Sequence, residues 1–193
     1  MKMRVGVLCE FSGVVRDAFL ARGHDAVSCD LEPSEVPGPH IHGDCLAQDW
    51  SDFDLLICHP PCTYLCNSGV RWLHTQDGRW DLMREGCAFF TAMLSLPVPR
   101  IAVENPIPHK HARAMIGRYT QTIQPWQFGH GETKATCLWL RGLPSLTPTK
   151  IVDGRTPRVH HEGPSPERTR NRSRTYPGIA SAMADQWNPE RSR

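Results

Sequence analysis

Long apolar runs are missing from this chain: none approaches the roughly 18 residues that cross a bilayer, and no apolar export stretch follows Lys2 and Arg4. A cytoplasmic protein is therefore expected. Regular cysteine spacing is missing too. Eight cysteines occur among 193 residues without a single Cys-x-x-Cys pair, which argues for reduced thiols instead of a disulfide framework. No internal repeat with a period of roughly 20 to 50 residues marks a solenoid. At 39% apolar content the chain can bury one real core and is too short for two ordinary domains. A single domain over residues 1–193 is the expectation.

What is present is unevenly charged. Residues 1–60 carry ten acids against four Lys or Arg, whereas residues 61–193 carry ten against eighteen, so the net charge of +2 conceals an acidic front and a basic back. Folded onto one face, the basic half suits a polyanion; a merely soluble surface accounts for the same charge.

Periodicity divides the chain into strands and helices. "MRVGVLC" is a short β-branched run that stops at "EFSG", and Val14, Val15, Ala18 and Phe19 then follow helical spacing. "DAVSCD" predicts a strand ending in Asp30, the Pro-rich "LEPSEVPGPH" predicts a loop, and "IHGDC" and "FDLLICH" predict two more strands. "RWDLMREGCAFFTAMLSL" places Trp80, Met83, Cys87, Phe90 and Leu94 on one stripe of a helix, and "PRIAVENP" is an apolar strand ending in an acid. Strands alternating with helices imply an α/β Rossmann-like, doubly wound and mostly parallel sheet. "YTQTIQPWQFG" and "TKATCLWLRGLPSLTPT" predict an antiparallel addition at its edge, and "IASAMADQW" a closing helix. Residues 153–175 are polar and rich in Arg and Pro.

Ligands of an open parallel sheet lie beyond the carboxyl ends of its strands. Those ends here carry "EFSG", Asp30, Asp44, "HPPCTYL" and "ENP". Five stretches would therefore converge on one crevice. Cys62 in the Pro-Pro-Cys corner is either a packed loop thiol or a nucleophile; Cys58, Cys62, Cys66 and His59 at close spacing also have the residue types of a metal site, but two prolines leave the loop few ways to wrap an ion. Cys9, Cys58 and Cys87 are expected in the core. Asp30 and Asp44 are either turn caps or cofactor ligands. The "HKH" and "VHH" clusters are expected in solvent. Arg168, Arg170, Arg172 and Arg174 alternate, so an extended segment would lay all four along phosphates; a disordered soluble stretch has the same composition.

In this order, "CEFSG", "SCDLEP", "GDC", "HPPC" and "ENP" resemble the S-adenosylmethionine-dependent DNA cytosine-C5 methyltransferases over about residues 4–106, with a looser likeness through "FGHGETKATCLWL". The resemblance implies a class I methyltransferase fold, S-adenosyl-L-methionine as cofactor and DNA as substrate. It casts Cys62 as the nucleophile that adds to C6, held by the rigid Pro60 and Pro61. Glu104 would activate the ring through N3 and the exocyclic amine, and Asn105 would brace its loop. Phe11, Ser12 and Gly13 would wrap the cofactor, Asp30 with Leu31 would hold the ribose, Asp44 with Cys45 the adenine, and Pro60 would complete that pocket. Pro61, Thr63, Lys134, Arg168, Arg170, Arg172 and Arg174 would face the substrate. A duplex base must be flipped out of its stack to reach such a pocket.

The chain also departs from that pattern. Cys9 stands where an acid is usual, Val14 and Val15 replace paired glycines, Thr63 replaces Gln and Pro106 replaces Val. The Gln-x-Arg-x-Arg element gives way to "ETKATCLW", which leaves Lys134 or nothing in its role. Only about thirty polar residues stand where a target-recognition region is normal. Three readings remain open at this point: a compact, phage-like DNA methyltransferase, an enzyme acting on a free pyrimidine nucleotide or single strand, or a degenerate nucleic-acid-binding module.

Overall fold

The computed structural model describes residues 1–161, 163, 165 and 168–188. Seven strands form one sheet in the order β3-β2-β1-β4-β5-β7-β6. These are β1 (Arg4–Leu8), β2 (Asp25–Asp30), β3 (His40–His42), β4 (Leu55–Cys58), β5 (Ile101–Pro106), β6 (Gln121–Ile123) and β7 (Thr136–Arg141). The pairs β2–β3, β1–β2, β1–β4 and β4–β5 are parallel, and β7 runs antiparallel to both β5 and β6. The expected Rossmann-like sheet with an antiparallel addition is therefore the observed one. β4 is buried along its whole length and β1 from its second residue onward, as a parallel strand covered on both faces must be.

Helix α1 (Val14–Leu20) packs with the closing helix α6 (Pro177–Gln186) on one face of the sheet, where Val15, Phe19, Ile179, Ala180 and Met183 join Val5 and Val7. Helix α2 (Arg79–Leu94) and the short α3 (Lys110–Ile116) cover the other face, with Met83, Cys87, Phe90 and Ala112 against Leu8, Leu56 and Val103. Among the described residues no helix is long and apolar enough to cross a membrane.

Two expectations need correction. "HKH" is not a solvated cluster, because His109 is only 2% exposed and caps α3, its Nδ1 accepting from the Ala112 amide at 3.0 Å. The Arg-rich segment is not extended: α4 (Arg158–His161) and α5 (Arg168–Ser173) are short helices, so the arginines do not line up on one side. Arg170 lies on α5 and Arg174 immediately follows it. Both turn inward, toward the loop after β2.

Candidate active site

The strand order reverses between β1 and β4, so the crevice opens where these two strands end. Past Leu8, Cys9 takes a left-handed φ of 56°, unusual for a residue with a side chain, and Gly13 takes φ 73° just before α1. At Gly13 an added Cβ would lie 2.5 Å from Arg16 Nη2 and 2.7 Å from Val36, so the turn needs glycine for space as well as for conformation.

No side chain at the N-cap position closes α1. Buried Glu10 closes it instead, accepting from the amides of Val15 at 2.6 Å and Arg16 at 3.2 Å, with the Ser12 hydroxyl donating at 3.3 Å. A carboxylate at a helix start is favoured by the amides and the dipole together. Arg16, wholly buried, donates to the carbonyls of Pro37 and Pro39 and to the hydroxyls of Ser28 and Ser34, and its Nε pairs with Asp17 at 2.8 Å. One guanidinium thus ties the Pro-rich loop to the ends of α1 and β2. Phe11 is half-buried, and Arg170 stacks over its ring at 5.0 Å.

Asp30 ends β2, and its Oδ1 accepts from the Glu32 amide at 2.9 Å. Burial pushes the Asp30 carboxyl above its ordinary value, against the pull of that amide. Leu31, 72% exposed, stands beside it. Asp44 is exposed and caps the turn Cys45–Ala47, with Oδ1 accepting from Leu46. Cys45 is buried among other thiols: its sulfur donates to the Cys29 carbonyl at 3.2 Å and lies 4.0 Å from the Cys9 sulfur.

Beyond β4 the His59 amide still bonds to Leu8, and buried Pro60 and exposed Pro61 then turn the chain. The carbonyl of half-buried Cys62 accepts from the amides of Leu65 and Cys66, both at 3.0 Å, which closes the loop directly behind it. Exposed Thr63 accepts Arg79 on its carbonyl at 3.0 Å. His109 reaches across from the loop after β5. Its amide bonds to the Leu65 carbonyl and its Nε2 lies 3.0 Å from the Tyr64 carbonyl, so one imidazole joins the Pro-Pro-Cys corner to the Glu-Asn-Pro turn.

Glu104 leaves β5 in this gap. His59 Nδ1 is 3.7 Å from its Oε1. Burial pushes the Glu104 carboxyl up, but His59 and Lys134 outweigh it and hold it below its ordinary value. Cys62 is held well above its ordinary value by a hydrogen bond with Cys66, then by burial and neighbouring negative charge. Cys66 is drawn down to about 5 by Cys62 and by Ser68, whose oxygen is 3.1 Å from its sulfur. Asn105 is fully buried and donates to the Pro106 carbonyl at 2.6 Å, bracing the turn. Lys134 Nζ donates to the Arg174 carbonyl at 3.2 Å, and a cavity of about 10 Å³ is lined by Glu104, Lys134, Thr136, Thr175 and Tyr176.

The structure therefore gathers Cys62, Glu104 and Lys134 at one place, and Phe11, Ser12, Gly13, Asp30, Leu31 and Asp44 at the neighbouring strand ends. Arg170 and Arg174 lie over Phe11, Glu32 and Glu35, with Arg168 and Arg172 on the same short helical segment. Sequence reasoning gave no role to Glu10 or Arg16, considered His59 only as a metal ligand and placed His109 in solvent. An acid just before Phe-Ser-Gly and a histidine just before Pro-Pro-Cys were the available signals. "FGHGET" proves to be an anchor for α6: His130 Nε2 accepts from the Gly178 amide at 3.0 Å, and Glu132 accepts from the Tyr176 hydroxyl at 2.6 Å. Among the described residues no group of three or more His, Cys, Asp or Glu is placed to hold a metal ion.

No family model and no curated protein matches this chain. Solved structures do. A prophage-encoded E. coli protein assigned as a DNA modification methyltransferase is 16% identical with a TM-score of 0.50, over 84% of this chain and 56% of that one. The Entamoeba histolytica methyltransferase EhMeth is 15% identical with a TM-score of 0.46, over 79% of this chain and 58% of its own. The S. pombe Dnmt2 methyltransferase is 16% identical with a TM-score of 0.45, over 82% and 54%. The chain thus spans little more than half the length of these structures. Strand order, the antiparallel β7 and the first of these likenesses identify the fold as the Rossmann-like fold of class I methyltransferases.

Proposed function

We propose that the protein transfers a methyl group from S-adenosyl-L-methionine to C5 of cytosine, in DNA, through a covalent bond from Cys62 to C6. The observation that supports this most is the juxtaposition of Cys62, Glu104 and Lys134 beyond β4 and β5, beside acids that end β2 and follow β3.

The residues of the cofactor cleft fit that group. Asp30 and Asp44 each commit one oxygen to a backbone amide, and a carboxylate has further lone pairs for ribose hydroxyls and an adenine amine. Exposed Leu31 offers apolar surface between them. When bound, the sulfonium supplies an electrophilic methyl group.

The base is the harder half of the problem, because cytosine C5 is a poor nucleophile. Once the Cys62 thiol has given its proton to water, addition of its sulfur to C6 makes C5 enamine-like, and a proton delivered to N3 through Glu104 draws charge out of the ring as the bond forms. After transfer, loss of the C5 proton expels the sulfur and restores the ring. Lys134 lies near both Cys62 and Glu104 and stabilises their anionic forms. At about 10 Å³ the space before Glu104 has room for a water and none for a pyrimidine.

Labelled methyl transfer tests the reading, with duplex DNA, single-stranded DNA and free dCMP offered in parallel and the products identified by nucleoside mass spectrometry. Label in 5-methylcytosine is expected, and Cys62→Ala should abolish it while leaving donor binding intact. An active Cys62→Ala protein would exclude the covalent route. Preference for dCMP or a single strand would favour the second reading, which the short, inward-docked Arg segment supports.

A further inference from the structure

One buried group in the site has no part in the scheme above. His59 keeps 7% of its side chain exposed, and neither ring nitrogen has a hydrogen-bond partner by geometry, although Nδ1 points at Glu104 from 3.7 Å. Buried polar groups left in this state are uncommon and costly. Three charged groups from three other segments face the ring: Glu104 on β5, Glu10 after β1 and Lys134 before β7.

We infer that His59 stores the proton that Glu104 hands to N3 of the cytosine, which makes it a positioning residue acting through Glu104. The inference rests on the methylation reading above. A carboxylate cannot donate, and Glu104 is held as one at rest. Burial alone would strip His59 of its proton, but Glu104 and then Glu10 more than offset this and raise its pKa, which favours imidazolium beside carboxylate in the resting pair. At 3.7 Å the two are farther apart than a good hydrogen bond, and such contacts often tighten only when substrate is bound.

As the Cys62 sulfur adds to C6 and N3 becomes basic, the proton leaves His59 Nδ1 for a Glu104 oxygen and passes on to N3. Neutral imidazole, a carboxylate and a protonated N3 remain. On elimination the N3 proton returns by the same path, the C5 proton passes to water and the expelled Cys62 thiolate takes a proton back from water, so the site ends as it began. A purely structural ion pair would hold Glu104 in place and leave the pH profile unchanged.

The test joins two measurements on the full chain. NMR of ¹⁵N-histidine-labelled protein should show His59 as imidazolium at neutral pH, and Glu104→Gln should lower its pKa. The second measurement is the pH profile of kcat. His59 has a raised folded pKa, so its proton is available below that pKa and lost as pH rises through it; the wild type should show this descending limb. In His59→Gln, kcat should fall about 100-fold at neutral pH, the descending limb should vanish, and donor binding should not change. A neutral His59 at pH 7, or a descending limb kept by His59→Gln, would overturn the inference and leave the methylation reading standing. Absence of 5-methylcytosine with wild type on every substrate would overturn both.

Discussion

The guanidinium of Arg174 grips both carboxylate oxygens of Glu35, at 3.0 and 2.7 Å, across 139 positions of sequence. Arg170 adds Glu32 at 3.2 Å and Glu35 at 3.7 Å. The basic segment is therefore clasped to the acidic loop that follows β2. Such half-exposed pairs contribute about 0–1 kcal/mol each and weaken with salt. Glu35→Gln should speed amide exchange across Arg168–Ser173, and added salt should do the same in the wild type. Unchanged exchange in both experiments would mean that packing, not charge, holds the segment.

Asp30 pits stability against binding. Its folded pKa is raised by burial, so the folded state holds its proton more tightly than the unfolded chain, and stability falls as pH rises from the unfolded value through the folded one. Asp30→Asn should raise the melting temperature of the donor-free protein above that window and weaken donor binding about tenfold. Calorimetry and thermal denaturation read the two effects, and equal donor affinity would remove Asp30 from the cofactor site.

The two thiols of the Pro-Pro-Cys loop differ in reactivity. Cys66 is drawn down to about 5, which favours its thiolate at neutral pH, whereas Cys62 is pushed up, which favours its thiol. Mass-mapped alkylation with iodoacetamide at pH 7 should label Cys66 before Cys62. Cys66→Ser should then make Cys62 easier to alkylate, because the hydrogen bond that raises its pKa is weakened. The reverse order of labelling would contradict the arrangement of the loop.

Gly178 is where α6 meets the "FGHGET" turn, and a Cβ there would fall on the Phe128 carbonyl oxygen and within 2.9 Å of His130 Nε2. Gly178→Ala should cost about 1–3 kcal/mol in urea unfolding, the usual range for overpacking. A smaller loss would show that α6 can slide without disturbing the sheet.

Much of this architecture was legible in sequence because parallel strands buried on both faces must be short apolar runs, as "RVGVL" and "LLIC" are. Their ends, near Asp30, Cys62 and Glu104, are where the sequence expects a crevice. Helix α3 was hidden because "KHARAMI" buries only Ala112 and Ile116, too few for a stripe, and its cap is a histidine. The arginines misled because alternation is the signature of an extended strand, whereas here Arg170 sits on a short helix, with Arg174 just beyond it, and the two pair with Glu32 and Glu35. Pairings across more than a hundred residues, and the buried role of Arg16, leave no local pattern to read.

Helices α1 and α6 share one side of the core, and Arg22 fastens them through both oxygens of Asp185, 163 positions later. During synthesis at roughly 5–20 residues per second, α1 therefore waits on the order of ten seconds with Val15 and Phe19 uncovered before its partner emerges. The opposite face, built from α2 and α3, can settle much sooner. Ribosome-bound chains halted before Pro177 should present that bare apolar side to chaperones, and any lesion that delays α6 would register as lost yield of soluble protein long before it altered the chemistry of the crevice.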